Sequence, residues 1–256
     1  MKTEAVIFDW AGTTVDYGCF APVAAFIKAF EEFGITPEVE EVRAPMGMLK
    51  WNHIKEMFSM ERISNEWERI YGRKWNDGDV DAVYEKSEKA IIESVVNYSE
   101  PKPYVIEVTE KLRQKGIKIG STTGYTDEMM SIVVPKAESL GYSPDCWFSP
   151  NSVNNIGRPY PYMIFENLKK LGISSVKAVI KVGDTVSDIK EGKNAGAVSV
   201  GVIEGSSVMG LTKEEYDKLT EGEKAEAKER AKEKFISAGA DYVIDDIRGI
   251  LDLIEE

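Results

Sequence analysis

Short apolar runs recur along the chain, separated by stretches in which apolar residues return with helical spacing. The runs Ala5–Phe8, Ile117–Ser121, Ala178–Val182, Val198–Val202 and Tyr242–Ile244 show little polar alternation, the pattern of strands buried on both faces. Between them, Tyr104–Lys115, Thr126–Leu140, Tyr160–Leu171 and Ser187–Ala195 read as helices, and Gly116, Gly141, Gly172 and Gly196 stand where helices end. Strand and helix in alternation predict an α/β fold: a Rossmann-like parallel sheet with helices on both faces and ligands at the carboxyl ends of its strands.

One long segment breaks the alternation. From about Phe20 to Asn97 the pattern is helical, with no convincing strand, and Trp51, Trp67, Trp75 and Tyr84 can furnish a small core of their own. Pro101 and Pro103 mark the return to the α/β part. The chain therefore reads as an α/β core, residues 1–19 and 99–256, with a small helical cap domain inserted at residues 20–98. Leu211–Phe235, dense in Glu and Lys, reads as solvated helix rather than site.

Composition narrows the class. The 256 residues carry 32 basic and 44 acidic side chains, a formal net charge of −12. That balance disfavours non-specific binding to nucleic acid or to an anionic membrane, both of which need clustered Lys and Arg. No run approaches the roughly 20 apolar residues of a membrane span, and the first apolar run ends at Asp9, too soon for a signal peptide. Cys19 and Cys146 resemble neither a disulfide framework nor a zinc site, so a reducing cytoplasm is the expected setting. A single histidine, His53, excludes chemistry built on several.

The candidate chemistry lies in loops where strands are expected to end: Asp9 with Thr13; "STTGYT", Ser121–Thr126; "GRPYP", Gly157–Pro161; and "KVGDTVSD", Lys181–Asp188. Each alone has an ordinary reading. A strand-terminal Asp caps a helix more often than it reacts, "GDT" is a plausible turn, and a lone arginine is usually a surface residue. Together they place carboxylates (Asp9, Asp184), Thr123, the amide of Gly124 and the guanidinium of Arg158 on one rim. Carboxylates suit Mg²⁺; a guanidinium and free N–H groups suit a phosphoryl group. The set resembles the haloacid dehalogenase superfamily of phosphoryl-transfer enzymes over the whole chain, cap included. The resemblance implies Asp9 as nucleophile, becoming an aspartyl phosphate. It further implies Asp184 as a Mg²⁺ ligand, Thr123 and Arg158 as holders of the phosphoryl group, and Asp188 as support to the metal shell.

Ala11 departs from that pattern. Phosphatases of the superfamily carry Asp there, to protonate the leaving alkoxide and later activate water; here the side chain is a methyl group. In the cap, "RAPMGMLKWNHIKEM", Arg43–Met57, spaces Met46, Lys50 and His53 at i, i+4 and i+7, one stripe of an expected helix. Beside methionine, Lys50 is expected to be partly desolvated, which lowers an amine pKa and prepares a nucleophile. The bland alternative is a solvated helix lysine beside a half-buried histidine. Ala11 tips the balance, and the segments "FDWAGTTVDYGCFAP", "PMGMLKWNH", "GIKIGSTTGYT", "GRPYP" and "IKVGDTVSD" resemble the phosphonatase family in order and content. That resemblance implies hydrolysis of the C–P bond of phosphonoacetaldehyde, a small-molecule phosphonate, through a Schiff base on Lys50. It implies Mg²⁺ held by Asp9, Asp184 and the backbone carbonyl of Ala11, with Met46, His53, Cys19 and Tyr125 lining the site. It also implies a homodimer joined through the caps. His53 is expected as a proton shuttle, and Cys19 reads equally as a small buried hydrophobe or a reactive thiol. The rivals are a C–O phosphate ester hydrolase of the same fold and a non-catalytic binding module.

Overall fold

The computed structural model describes residues 2–255. Strands β1 (Ala5–Phe8), β2 (Lys118–Thr122), β3 (Cys146–Phe148), β4 (Val179–Gly183), β5 (Val198–Val202) and β6 (Tyr242–Ile244) form one sheet in the order β3-β2-β1-β4-β5-β6, every neighbouring pair parallel. Between β1 and β2 the chain forms helices α1 (Phe20–Glu31), α2 (Val39–Arg43), α3 (Lys50–Ser59), α4 (Glu61–Tyr71) and α5 (Asp77–Ser94). The later helices are α6 (Val105–Gln114), α7 (Asp127–Ser139), α8 (Tyr162–Leu171), α9 (Val186–Ala195), α10 (Lys213–Lys218), α11 (Glu221–Ser237) and α12 (Ile250–Glu255).

Alternate residues of β1 serve opposite faces, which is why its run is apolar throughout. Val6 and Phe8 pack with Val105, Val108 and Leu112 of α6 and Met129, Met130 and Val133 of α7, while Ala5 and Ile7 pack with Ile164 and Leu171 of α8 and Ala195 of α9. The connections run one way from β1 to β2 and β3, and the other way from β4 to β6. The reversal falls between β1 and β4, and that crevice at the carboxyl ends is where such sheets bind ligands. Strand β3 is not among the expected strands; three residues at a sheet edge, with Trp147 and Phe148 half-buried, are too few to show a period.

The inserted helices bury their own cluster. Phe26 and Phe30 of α1, Phe58 of α3 and Trp67 of α4 are fully enclosed, with the Phe58 and Trp67 rings 4.9 Å apart. Of the four aromatics expected at its centre only Trp67 is buried; Trp51, Trp75 and Tyr84 lie at the margin. The "EGEKAEAKERAKEKFIS" segment is indeed a charged helix, α11, but it buries Ala227, Ala231 and Phe235 along one face. A Cβ at Gly201 of β5 would stand 2.5 Å from the Phe235 ring, so glycine there lets the helix seat. Among the described residues no helix is long and apolar enough to cross a membrane.

One expected element is corrected. Met46 does not share a helix with Lys50 and His53: α3 begins at Lys50, and Met46 lies in the turns before it. Gly47 explains the break. It adopts φ +85°, and a Cβ there would approach Thr185 Oγ1 to 2.4 Å, so the segment turns where it meets the core.

Candidate active site

Asp9 is the first residue past β1, and its N–H donates to the Val182 carbonyl of the neighbouring β4 at 3.0 Å. The loop that follows is tied back by Thr14, whose hydroxyl donates to the Asp9 carbonyl at 3.0 Å. Gly12 has φ +86°, and a Cβ there would overlap Asp184 Oδ2 at 2.0 Å, so only glycine lets the loop pass the second carboxylate. Thr13 Oγ1 stands 3.5 Å from Asp9 Oδ2 and 3.3 Å from Asp184 Oδ1, bridging the two acids.

Below the rim is a closed ionic network. Arg158 Nη2 donates to Asp9 Oδ1 at 2.6 Å, Nη1 lies 3.1 Å from Asp188 Oδ1, and Nε donates to Glu191 Oε2 at 3.0 Å. Lys181 Nζ reaches Asp188 Oδ1 at 2.8 Å, Glu191 Oε2 at 3.4 Å and the Thr122 hydroxyl at 3.0 Å. Burial alone would push the Asp188 carboxyl up, but Arg158 and Lys181 outweigh it and hold the acid below the usual carboxylate range. Asp184 has no such ion pair, and the Lys102 charge offsets its burial only in part. It accepts from the Ser207 N–H at 2.8 Å, and burial, then Asp9 and Asp188, raises its carboxyl well above the usual range. Asp9 is also raised, by burial foremost, with Arg158 opposing.

The opposite wall comes from the inserted helices. Lys50, the first residue of α3, is buried with Nζ 5.1 Å from the ring centre of Tyr125 and 5.7 Å from that of Phe26. Among the described residues it has no ion-pair partner, and burial lowers its amine below the ordinary lysine range against the pull of Cys19 and Asp9. The candidate residues Asp9, Ala11, Cys19, Met46, Lys50, Thr123, Gly124, Tyr125, Arg158 and Asp184 all border one cavity of about 20 Å³. Asp188 does not; it lies beneath Arg158. Nor does His53, which is fully buried, stacked on Phe26 with ring centres 4.2 Å apart, both ring nitrogens lacking a hydrogen-bond partner. Burial, then Lys50, holds its imidazole well below the usual range, so the ring is neutral. Burial likewise pushes the Cys19 thiol up, leaving it protonated. A second cavity of about 620 Å³ shares Lys50 and Gly124 with the first and is lined by residues of α3, α5 and α7.

The model of the haloacid dehalogenase-like hydrolase family matches residues 3–196, and a related HAD-hydrolase-like model matches residues 155–250. The chain is 49% identical over 254 residues to phosphonoacetaldehyde hydrolase of Lysinibacillus sphaericus, spanning 99% of this chain and 94% of that one. It is 47% identical over 256 residues to phosphonoacetaldehyde hydrolase of Bacillus cereus, spanning 100% of this chain and 97% of that one. The chain belongs to the phosphonoacetaldehyde hydrolase family of the haloacid dehalogenase-like hydrolases. A phosphonoacetaldehyde hydrolase-like protein from Oleispira antarctica superposes with a TM-score of 0.96 at 36% identity, covering 100% of this chain and 92% of that one. As a family member it is a hydrolase.

The family's implied metal is tested by the donor set. Carboxylate oxygens of Asp9, Asp184 and Asp188 lie within 4.8 Å of one another, all buried. Asp188 is already neutralised by Arg158 and Lys181, whereas Asp184 faces Asp9 without an ion pair, held by Thr13 and an amide and offset only in part by the Lys102 charge. Two buried oxyanions short of positive charge are what a hard divalent cation relieves. The Ala11 carbonyl beside them accepts no hydrogen bond among the described residues. The residues fit Mg²⁺.

Sequence reasoning missed Lys181, Glu191, Thr122 and Ser207. A signal existed for the first: a lysine inside the apolar run "AVIKVG" has no exposed face to occupy and needs acids, which "SDIKE" supplies at Asp188 and Glu191. Ser207 lies far along the chain from Asp184 and carries no motif.

Proposed function

We propose that this chain hydrolyses the C–P bond of phosphonoacetaldehyde to acetaldehyde and phosphate, with residues 20–98 as a cap over the α/β core. The reading is carried by one observation: the Lys50 amine from α3 and the Asp9 carboxylate from β1 border the same small cavity, with Ala11 beside them where a phosphatase needs an acid. The names of its relatives support this choice of substrate.

Plain displacement at phosphorus would expel a carbanion, a very poor leaving group. In the proposed path neutral Lys50 adds to the aldehyde carbonyl, and the carbinolamine hydroxyl takes up one proton from solvent and departs as water, leaving a protonated imine. The P–C bond then breaks. Its electron pair moves into the imine to give an enamine, while an Asp9 oxygen forms the new bond to phosphorus. Arg158, already oriented by Asp9, Asp188 and Glu191, offsets charge on the transferring group, and Thr123 and the Gly124 amide help hold it. Asp9, Asp184 and the Ala11 carbonyl would hold Mg²⁺, which when bound would supply Lewis-acid neutralisation of phosphoryl oxygens. The enamine is protonated at carbon, water hydrolyses the imine to acetaldehyde and Lys50, and a second water cleaves the aspartyl phosphate. No alkoxide leaves, so no acid is required at position 11. We assign Met46 and Tyr125 the role of keeping the amine dry, and assign no proton transfer to His53, which lies one helical turn from Lys50 but is stacked on Phe26 off the cavity lining. We extend the proposal to a cytoplasmic homodimer joined through the caps, on which Val39, Ile70 and Tyr71 stand exposed.

Borohydride reduction with phosphonoacetaldehyde present, followed by peptide mass mapping, tests the imine. A covalent adduct is expected on Lys50 and none in Lys50→Arg, since a guanidinium does not form the imine. An adduct elsewhere, or faster phosphate release from a generic phosphomonoester, overturns the reading.

A further inference from the structure

The cap sends one more cation into the core, away from the cavity. Arg43 closes α2, and its Nη1 donates to the Gly18 carbonyl at 2.9 Å and to the carbonyl and hydroxyl of Ser207 at 3.2 and 3.4 Å. Its guanidinium lies 4.8 Å from the centre of the Phe20 ring, while Nε and Nη2 are buried without a hydrogen-bond partner. A surface ion pair would not be built this way. Two dry guanidinium nitrogens are unfavourable, so the contacts made by the third need a use.

Both contacted residues sit at consequential places. Gly18 lies in the linker from the Asp9 loop to α1, with φ +87° and no room for a Cβ, which would meet the Leu211 carbonyl at 2.6 Å. Ser207 is the residue whose N–H donates to Asp184 Oδ2 at 2.8 Å. The segment after β5 wraps the guanidinium closely: at Gly210, φ +72°, a Cβ would lie 3.1 Å from Arg43 Nε. The return linker grips the same segment, since Lys102 donates to the carbonyls of Gly12 and Glu204. Lys102 belongs to the segment that re-enters the core, whereas Arg43 belongs to α2.

We infer that Arg43 is a positioning residue that couples cap closure to the metal site, holding Ser207, and through the Ser207 amide the Asp184 carboxylate, only while the cap rests on the core. The inference rests on the Mg²⁺ reading of Asp9 and Asp184. Closure then tightens cation binding, and by linkage the cation favours closure. Hydrogen-bond support behind a ligand is typically worth 10- to 100-fold in metal affinity.

The test is Mg²⁺ binding to the full chain by titration calorimetry, with the Mg²⁺-induced rise in Tm as a second readout free of turnover. Arg43→Ala is expected to weaken Mg²⁺ by about ten-fold and to shrink the Mg²⁺-induced Tm rise. Arg43→Lys, which still reaches the carbonyls of Gly18 and Ser207, recovers part of the loss. Should Arg43→Ala not fold, Arg43→Met keeps the bulk, removes the donors and is expected to show the same ten-fold loss. A purely structural arginine gives a different result: Tm falls equally with and without Mg²⁺, and the affinity stays at the wild-type value. That outcome overturns the inference alone. If the unaltered protein itself shows neither Mg²⁺ binding nor Mg²⁺ stabilisation, the metal reading fails and the inference with it.

Discussion

On the sheet side of the cavity Arg158 meets three carboxylates and Lys181 two, whereas on the helical side Lys50 stands between two aromatic rings with no carboxylate partner. Both regions are dry, so burial penalises charge equally in each. The difference is what lies within hydrogen-bonding reach. Acids around Arg158 more than cancel its burial and lock it as a cation, suited to an anionic group. Around Lys50 the rings and the more distant acids offset burial only in part, and its amine is pushed toward the neutral form that an amine needs to attack a carbonyl. One fold thus prepares a permanent cation and a free amine across a cavity of about 20 Å³ by supplying or withholding carboxylates.

The largest expected effects separate the two walls chemically. Asp9→Asn and Lys50→Arg should each lower phosphate release from phosphonoacetaldehyde on the order of 10⁴-fold or more, the scale of losing a nucleophile. They should differ in trapping. Asp9→Asn still yields a borohydride adduct on Lys50, because imine formation does not use the core acid, and Lys50→Arg yields none. Loss of the adduct in a folded Asp9→Asn protein would merge the walls into one unit.

Stability measurements cut across the same comparison with opposite signs. Arg158→Met removes one partner of a buried network and leaves Asp9, Asp188 and Glu191 short of charge; a loss of about 3–5 kcal/mol is expected from denaturant unfolding. Lys50→Met removes a buried amine that has no partner, and replaces it with an apolar chain of similar length among Phe26, Tyr125 and Met46. It should be neutral or stabilising by about 1–2 kcal/mol. A destabilised Lys50→Met protein would mean that the amine is held by interactions other than the rings.

How much of this was readable beforehand depended on range. Buried strands show as unbroken apolar runs, so β1, β5 and β6 match their expected bounds, and β2 and β4 begin one residue later than expected. The rim could be read because parallel strands end together, bringing Asp9, Thr123, Arg158 and Asp184 to one edge although they are far apart in the chain. What local pattern does not contain is a tertiary demand. The helix expected through Met46 breaks at Gly47 because Thr185 occupies the space. Lys181 and Glu191 acquire meaning only when β4 and α9 face Arg158. Spacing put His53 one turn from Lys50 but did not show that it would stack on Phe26 and lie off the cavity lining.

The smallest predicted effect concerns Asp184 in protein stripped of Mg²⁺ with a chelator. Its folded pKa is raised above the unfolded value of about 3.9 by burial, then by Asp9 and Asp188. A group raised in the folded state contributes stability that is fully present below the unfolded pKa and is lost as pH rises through the folded one. Near neutral pH, metal-free Asp184 is therefore a liability that grows with pH. Asp184→Asn removes the charge while keeping an acceptor for the Ser207 N–H and turning a donor toward the Thr13 hydroxyl, which can accept it. The variant should be inactive yet more stable without metal, by about 1–2 kcal/mol, or roughly 2–8 °C in Tm for a chain of this size. The margin over the unaltered protein should widen from pH 5 to pH 8. Adding Mg²⁺ should raise the Tm of the unaltered protein and leave the variant nearly unmoved, because a carboxamide at 184 neither carries the liability nor binds the cation. A metal-free Asp184→Asn protein less stable than its parent at neutral pH would show that the Asp184 charge is balanced within the protein, and that relief of buried oxyanions is not what draws the cation to this rim.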